Sequence, residues 1–409
     1  MATSRALNLT SLSDAAKRKG VQLLSAADFT HPEWRRELEE KLVDDGSGLF
    51  RLKGAPDLDP STDPRFVLGT EISCVWRDPP ITGRGRRGHL LLFAPDFAAV
   101  DALIDRFAPH GALASDGRPL LKLSAHDVAG LVLDADPRCE IIPAHVWTPW
   151  YGVYGSKSGF DSLEEAFGEY ADSIRAIETG LSSDPEMNWA VPELDCRALV
   201  SFSDAHSAAN VAREVTIFDM EPTYDGLREA IATQSIAETI EFFPENGKYH
   251  LDGHRACGIR LTPDESASVG DVCPACDKKL TLGVLNRIES LSESKSKTET
   301  NHDGLVTGPK NRPPFRRLVP LRDLAAAALG MGKNTKTVAR AVDRLIDHFG
   351  SELDVLVNAG RSDLEGATPD DPANLAAAII AVRSGKLEIE PGYDGVYGVV
   401  APVFGKARS

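Results

Sequence analysis

Six residues capable of acid–base chemistry or metal ligation stand at or just beyond short apolar runs: Asp28, Glu71, His145, Glu178, Asp204 and His206. His31 follows Asp28 closely in SAADFTHPEW and joins the same candidate set. Mixed carboxylate and imidazole ligands suit zinc, manganese or iron. Two or three such ions close together polarise a phosphoryl group and generate hydroxide at neutral pH, which points to a metallohydrolase. Each residue taken singly also has an ordinary reading. Asp28 can cap the helix HPEWRREL, Glu71 can pair with an arginine, and an isolated histidine is more often hydrogen-bonded structure than ligand.

A second constellation is local. Cys273-Pro-Ala-Cys276 has the two-residue gap that lets both thiolates face one ion, and His254 and Cys257 repeat that gap upstream. A tetrahedral His/Cys₃ zinc site follows, with His250 the rival for the histidine position. Four protein ligands leave no open position, so this zinc is expected to organise structure. The alternative, a redox dithiol, lacks the βαβ frame of thioredoxin-like motifs.

Bringing the dispersed set together requires alternating strands and helices. VQLLSA, FVLGTEIS, HLLLFAP, EIIPAHVW, IRAIETG and ALVSFSDAH read as strands, and HPEWRRELEEKLVD, FAAVDALIDRFAP and SAHDVAGLVLDAD as helices. That rhythm predicts a βα architecture with a mostly parallel sheet, whose strand C-termini form the active face. Four segments are predicted: a metallohydrolase domain over residues 1–240, a zinc module over 241–291, a Ser/Lys/Thr-rich linker over 292–311, and a helical domain over 312–409.

Bulk composition sets outer limits. The 409 residues are 42% hydrophobic, enough for a sizeable core and against global disorder. No apolar run approaches bilayer length and the N-terminus has no signal-like core, so no membrane association and a cytoplasmic location are expected. A net charge of −16 argues against a chain-wide nucleic-acid footprint. Local basic patches at Arg84, Arg86 and Arg87 and at Lys310, Arg312, Arg316 and Arg317 remain able to hold phosphates. Cys74, Cys139 and Cys196 read as buried small hydrophobes.

The strings IIPAHVWTPWYGVYGSKSGFDSLEEAFGEY, AIETGLSSDPEMNW and SFSDAHS resemble the PHP-type (polymerase and histidinol phosphatase) hydrolase domain of the endonuclease Q family. The resemblance continues through IEFFPENGKYHLDGHRACGIRLTPDES, CPACDKKLTLGVLNRIE, PPFRRLVPL and EPGYDGVYG, nearly the whole chain. It implies an α/β fold: a PHP-type distorted (β/α) barrel with a small zinc module and a helical C-terminal domain. The implied activity is cleavage of DNA on the 5′ side of deaminated bases (uracil, hypoxanthine, xanthine) and abasic sites. Asp28, Glu71, His145, Asp204 and His206 would be ligands of a Mg²⁺, Mn²⁺ or Zn²⁺ cluster, with His31 and Glu178 at a spacing that differs from the common pattern. Asp204, His206 and His145 would carry catalysis. Trp147, Trp150, Tyr151 and Tyr154 could line a pocket for an extruded base, and Lys157, with Ser156 and Ser158, could contact phosphate. The C-terminal domain could bind DNA or a repair-protein partner. No Walker A pattern is present, which leaves an ATP-driven motor unsupported.

PHP domains open with a strand ending in a His-x-His pair, and here Met1 directly precedes ATSRALNL. The expectation is a natural chain extending upstream, and weakened metal binding and nicking without that strand. Two alternatives are a non-catalytic lesion-binding protein with a degraded metal site and a PHP phosphatase acting on a small phosphomonoester.

Overall fold

Seven strands form the main sheet of the computed structural model: β1 (Leu23–Ala26), β2 (Leu42–Asp44), β3 (Phe50–Leu52), β4 (Arg65–Arg77), β5 (Gly85–Ala94), β6 (Leu120–Leu121) and β7 (Glu140–Pro143). The structure describes residues 7–54, 63–77, 83–115, 118–293, 297–309, 311–367 and 372–404. Met1–Ala6, which begin the ATSRALNL string, and Lys310 of the second basic patch lie outside the described residues.

β4 is the spine. Its sequence RFVLGTEISCVWR is buried from Phe66 to Thr70 and again from Ile72 to Cys74, because apolar layers cover both faces, so its centre shows no in–out alternation. One layer holds helices Phe97–Phe107 and Ala125–Ala135. These helices begin where the sequence supplies caps. The Asp96 carboxylate accepts from Ala99 N, and Ser124 and Asp127 form a reciprocal capping box.

The mostly parallel sheet is not what forms. β4 pairs antiparallel with β5 from Leu68↔Ala94 to Arg77↔Gly85, and β5 pairs antiparallel with β7. Only β1 and β6 lie parallel to β4. β4 ends at Arg77 and β5 begins at Gly85, its pairing partner, and so short a connection suits an antiparallel neighbour and not a crossover. The two strands continue the apolar layer through β8 (Ala176–Glu178) and β9 (Ala198–Val200), a parallel pair. Val67, Phe93, Ile142, Ala176, Ala198 and Val200 share one interior cluster. Among the described residues the sheets curve around this interior without closing into a barrel.

A five-stranded sheet crosses the predicted segment boundaries. It joins β10 (Val215–Phe218), β11 (Ile236–Glu241), β14 (Glu299–Thr300), β15 (Leu305–Thr307) and β16 (Phe315–Arg317) in the order β10-β11-β16-β15-β14. β12 (Asp252–His254) and β13 (Ile259–Leu261) form a separate hairpin. The segment read as a linker therefore carries two strands. The C-terminal region packs helices Leu321–Leu329, Lys336–Phe349 and others into its own core, and adds a hairpin of β17 (Leu387–Glu390) and β18 (Val399–Pro402).

The second basic patch is structural. Arg312 pairs with Asp195, Arg316 with Glu238, and Arg317 with Asp184 and Glu186. Cys74 and Cys139 are buried as expected, but Cys196 is exposed at the end of the turn Pro192–Cys196. Among the described residues no helix is long and apolar enough to cross a membrane.

Where β8, β9 and β11 meet, the fully buried Glu241 carboxylate accepts hydrogen bonds from Thr179, Ser201 and Thr239. Burial raises its pKa, against the lowering effect of the Thr239 and Ser201 hydroxyls. An acid whose pKa rises on folding binds more protons in the native state, so its stabilising contribution is complete below the unfolded value and is lost as pH rises through the folded one. Stability is expected to fall as pH rises from the ordinary glutamate range toward neutrality, and Glu241→Gln is expected to flatten that fall. Denaturant midpoints for both proteins across this range decide it. Parallel curves would assign the pH dependence elsewhere.

Candidate active site and metal centres

Backbone strain marks the first site. Asp28, His145, Tyr151 and Asp204 all adopt positive φ, at 65°, 32°, 69° and 41°. Left-handed backbone is unfavourable for side chains other than glycine and is retained where the surroundings dictate it, commonly at functional sites. Gly180 packs directly on one of them, since a Cβ there would lie 2.6 Å from the His145 Cβ.

Glu71 and His145 line a cavity of about 470 Å³ that is also lined by Asp28, Glu178, Asp204 and His206. Glu71 Oε1 lies 2.9 Å from His89 Nδ1 and 3.4 Å from His145 Nε2. The ligand atoms of Glu71, His89 and His145 all fall within 4.8 Å of one another, a donor set that fits a divalent cation. Burial opposes ionisation of Glu71, but hydrogen bonds from His145 and His89 outweigh it and hold the carboxyl well below its usual range. His145 is fixed from behind. Its backbone N–H donates to Glu178 Oε2 at 2.7 Å, and its Nδ1 lies 3.0 Å from Thr148 Oγ1. Burial pushes the Glu178 carboxyl up to about 8.

His89 and Arg118 were not among the residues singled out in the sequence. His89 stands opposite Ser73 in the β4–β5 ladder. β5 runs antiparallel, so its site-facing residue precedes the apolar stretch LLLFA and does not follow it. Arg118 contacts Glu71 through Nε and lies 3.3 Å from Asp204 Oδ1 through Nη2. The arginine partner that Glu71 could have taken is thus present inside the candidate site.

The other predicted residues divide. His206 Nδ1 lies 3.0 Å from the Asp204 carbonyl oxygen, and Arg213 donates to the Ser203 and Asp204 carbonyls. Asp28 does not cap the next helix: His31 is the N-cap and makes no side-chain cap bond. Burial raises the Asp28 pKa, reinforced by the Glu71 charge. His31 is not among the residues lining the cavity.

Trp147 cannot receive a base. It is fully buried, donates from Nε1 to Asn188 at 2.8 Å and stacks on buried Tyr154. Trp150 is 40% exposed and packs edge-on to Tyr249. Tyr151 packs on the His89 ring with centroids 4.3 Å apart and the planes tilted by 33°. Lys157 is exposed, whereas Ser158 is buried and its hydroxyl accepts from Tyr151 N. Of the first basic patch, Arg86 lies over the Phe160 ring at 4.0 Å, Arg87 faces Tyr151, and Arg84 donates to the Lys157 carbonyl.

The second site is assembled by short local turns. β12 ends at His254, and Cys257 follows in a turn closed by Gly258 in the left-handed region. Cys276 N and Asp277 N both donate to the Cys273 carbonyl, folding CPAC into a knuckle. The ligand atoms of His254, Cys257, Cys273 and Cys276 lie within 4.8 Å of one another, which fits one tetrahedral ion. His254 takes the histidine position, and His250 is not in the group. The Cys276 thiol is lowered, first by a backbone hydrogen bond from Lys278, which favours the ligating thiolate.

The two sites are tied together. Asp252 accepts from Gly283 N and Asn286, anchoring the helix Val284–Leu291 to β12. Arg287 on that helix donates to the carbonyls of Tyr154 at 2.8 Å and Phe160 at 2.7 Å, in the loop that follows His145. The EPGYDGVYG segment packs on the other side, where Asp394 accepts from Arg255 N.

Comparison with known proteins now adds to this geometry. Residues 320–386 match the family described as the MJ0043 C-terminal domain. The chain is 32% identical to the uncharacterized protein MJ0043 of Methanocaldococcus jannaschii over 263 residues, covering 62% of this chain and 31% of that protein. It is 30% identical to the uncharacterized protein YqxK of Bacillus subtilis over 402 residues, covering 96% of this chain and 91% of YqxK. The crystal structure of the lesion-specific endonuclease PfuEndoQ from Pyrococcus furiosus superposes with a TM-score of 0.81 at 29% identity, covering 98% of this chain and 91% of that one. A complex of endonuclease Q with a 27-mer duplex bearing an abasic lesion at the active site superposes with a TM-score of 0.80, covering 98% and 92%. The chain belongs to the endonuclease Q family.

Proposed function

We propose that this protein is a metal-dependent endonuclease that hydrolyses the DNA phosphodiester 5′ to an abasic site or a deaminated base. The observation that carries this reading is the Glu71–His89–His145 donor trio, two members of which line the cavity, in a chain that superposes along 98% of its length on a lesion endonuclease. Divalent ions held by Glu71, His89 and His145, with Asp28, Asp204 and His206 completing the set, would supply Lewis acidity and a nucleophile at neutral pH. Glu71, kept ionised, provides the central negative charge. Glu178 and Thr148 orient His145, and the paired Asp204 and His206 stand at the open side where a leaving oxygen can take up a proton. Trp150, Tyr151 and Lys157 are the proposed substrate contacts, because an exposed indole and a ring beside His89 suit an unstacked base. The Cys₃His site holds a structural zinc.

The test is a nicking assay on labelled duplexes carrying one uracil, hypoxanthine or abasic site, with Mg²⁺, Mn²⁺ or a chelator. Metal-dependent cutting 5′ to the lesion supports the reading. Binding without cutting under every metal would favour a lesion-binding protein, and turnover of a small phosphomonoester alone would favour a phosphatase.

A further inference from the structure

Arg118 is the only lysine or arginine among the described residues lining the cavity. Its backbone is fixed beside the site: the Pro119 carbonyl accepts from Ser73 N, and β6 begins at Leu120 against Ser73 of β4. From there its guanidinium reaches Glu71 Oε2 and Asp204 Oδ1, two carboxylates from distant parts of the chain. Asp28 lies close enough for its charge to act on both Glu71 and Arg118.

Carboxylates gathered in a partly buried site repel unless a cation sits among them, and Arg118 supplies that cation. Glu71 turns Oε1 to His89 and His145 and Oε2 to Arg118, so an ion held by the trio alone could leave the guanidinium in place. An ion that also engages Asp204 competes with Arg118 for both carboxylates and would displace it. Arginine keeps its charge under all ordinary conditions, and its planar fork matches a phosphate as well as it matches a carboxylate. Once displaced within this cavity, its natural partner is the phosphate of a bound strand.

We propose that Arg118 is a phosphate-binding residue of the cleavage site, held on the Glu71 and Asp204 carboxylates in the metal-free protein and transferred to phosphate when divalent ions enter. This rests on the proposed phosphodiesterase function for the identity of the phosphate, but its first half concerns the metal alone. It makes substrate binding conditional on metal loading, since a free carboxylate pair retains the guanidinium.

Calorimetric titration of the full-length, zinc-containing protein with Mn²⁺, and of the Mn²⁺-loaded protein with inorganic phosphate, tests both halves. Arg118→Ala is expected to bind Mn²⁺ more tightly, on the order of tenfold, because an ion-pair competitor is gone. The same variant is expected to lose phosphate binding, and Arg118→Lys to retain part of it. Should Arg118→Ala fold poorly, Arg118→Gln serves the same purpose. Unchanged or weaker Mn²⁺ binding overturns the proposal, as does undiminished phosphate binding. Both shifts in a protein that cuts no lesion would uphold the Arg118 exchange while refuting the lesion-endonuclease reading.

Discussion

Glu71→Gln is expected to reduce lesion-directed nicking by about a hundredfold or more, with a far smaller effect on folding. Residues that merely support a metal ligand typically contribute roughly 10–100-fold, and Glu71 is placed here as a ligand itself. The substitution preserves shape but replaces one acceptor oxygen with a donor. Oε1 faces His89 and His145, and Oε2 faces Arg118. Whichever way the amide turns, its NH₂ group meets either the arginine or the two imidazoles. Turned to Arg118 it sets donor against donor, and turned to the histidines it donates into the imidazole lone pairs that a cation would need. Mn²⁺ binding measured beside the nicking rate separates a lost ligand from a misfolded protein. Wild-type nicking by Glu71→Gln would remove Glu71 from the catalytic machinery.

The second large effect is expected at Cys273, the fully buried member of the Cys₃His group. Cys273→Ser is expected to lower zinc content from one equivalent and to unfold the surrounding turns. Structural zinc sites in small modules supply about 10 kcal/mol or more of apparent binding free energy, which counts as folding free energy. The hairpin of β12 and β13 has little apolar core of its own: Arg255, Ala256, Cys257 and Arg260 are exposed. Metal analysis and limited proteolysis between His254 and Leu280 read the outcome. Full zinc occupancy with an intact protease pattern would show that Cys273 is not a ligand.

What the sequence made legible follows the range of the interactions involved. The Cys₃His group depends on two tight turns, whose geometry is set by neighbours such as Pro274 and Gly258, so spacing alone identified it. The helices at Phe97 and Ala125 were legible in their apolar spacing, which repeats within a few residues. His89 was hidden because strand direction is a property of the sheet and is not written in the strand. Arg118 was hidden because its partners come from β4 and from the loop at Asp204, and no local pattern links them. Trp147 looked available because an aromatic beside a histidine gives no sign of which face is covered. β14 and β15 escaped notice because they are only two and three residues long and Val306 is their single buried position, so the apolar alternation that marks a strand is missing. Glu71 shows how two readings can coincide, since it pairs with an arginine and also belongs to the donor trio.

The reach of Arg287 from the zinc-module helix to the Tyr154 and Phe160 carbonyls makes the two ion sites thermodynamic partners. Those hydrogen bonds exist only while the helix is docked, and docking depends on the turns that the structural ion holds. The same loop fixes Tyr151 against His89 and runs back to His145. Occupancy of one centre is therefore expected to alter the affinity of the other, and linkage requires the influence to be equal in both directions. Depleting zinc should loosen the catalytic ions, and loading the catalytic ions should slow the escape of zinc. The module that performs no chemistry would then couple the supply of its own ion to DNA incision.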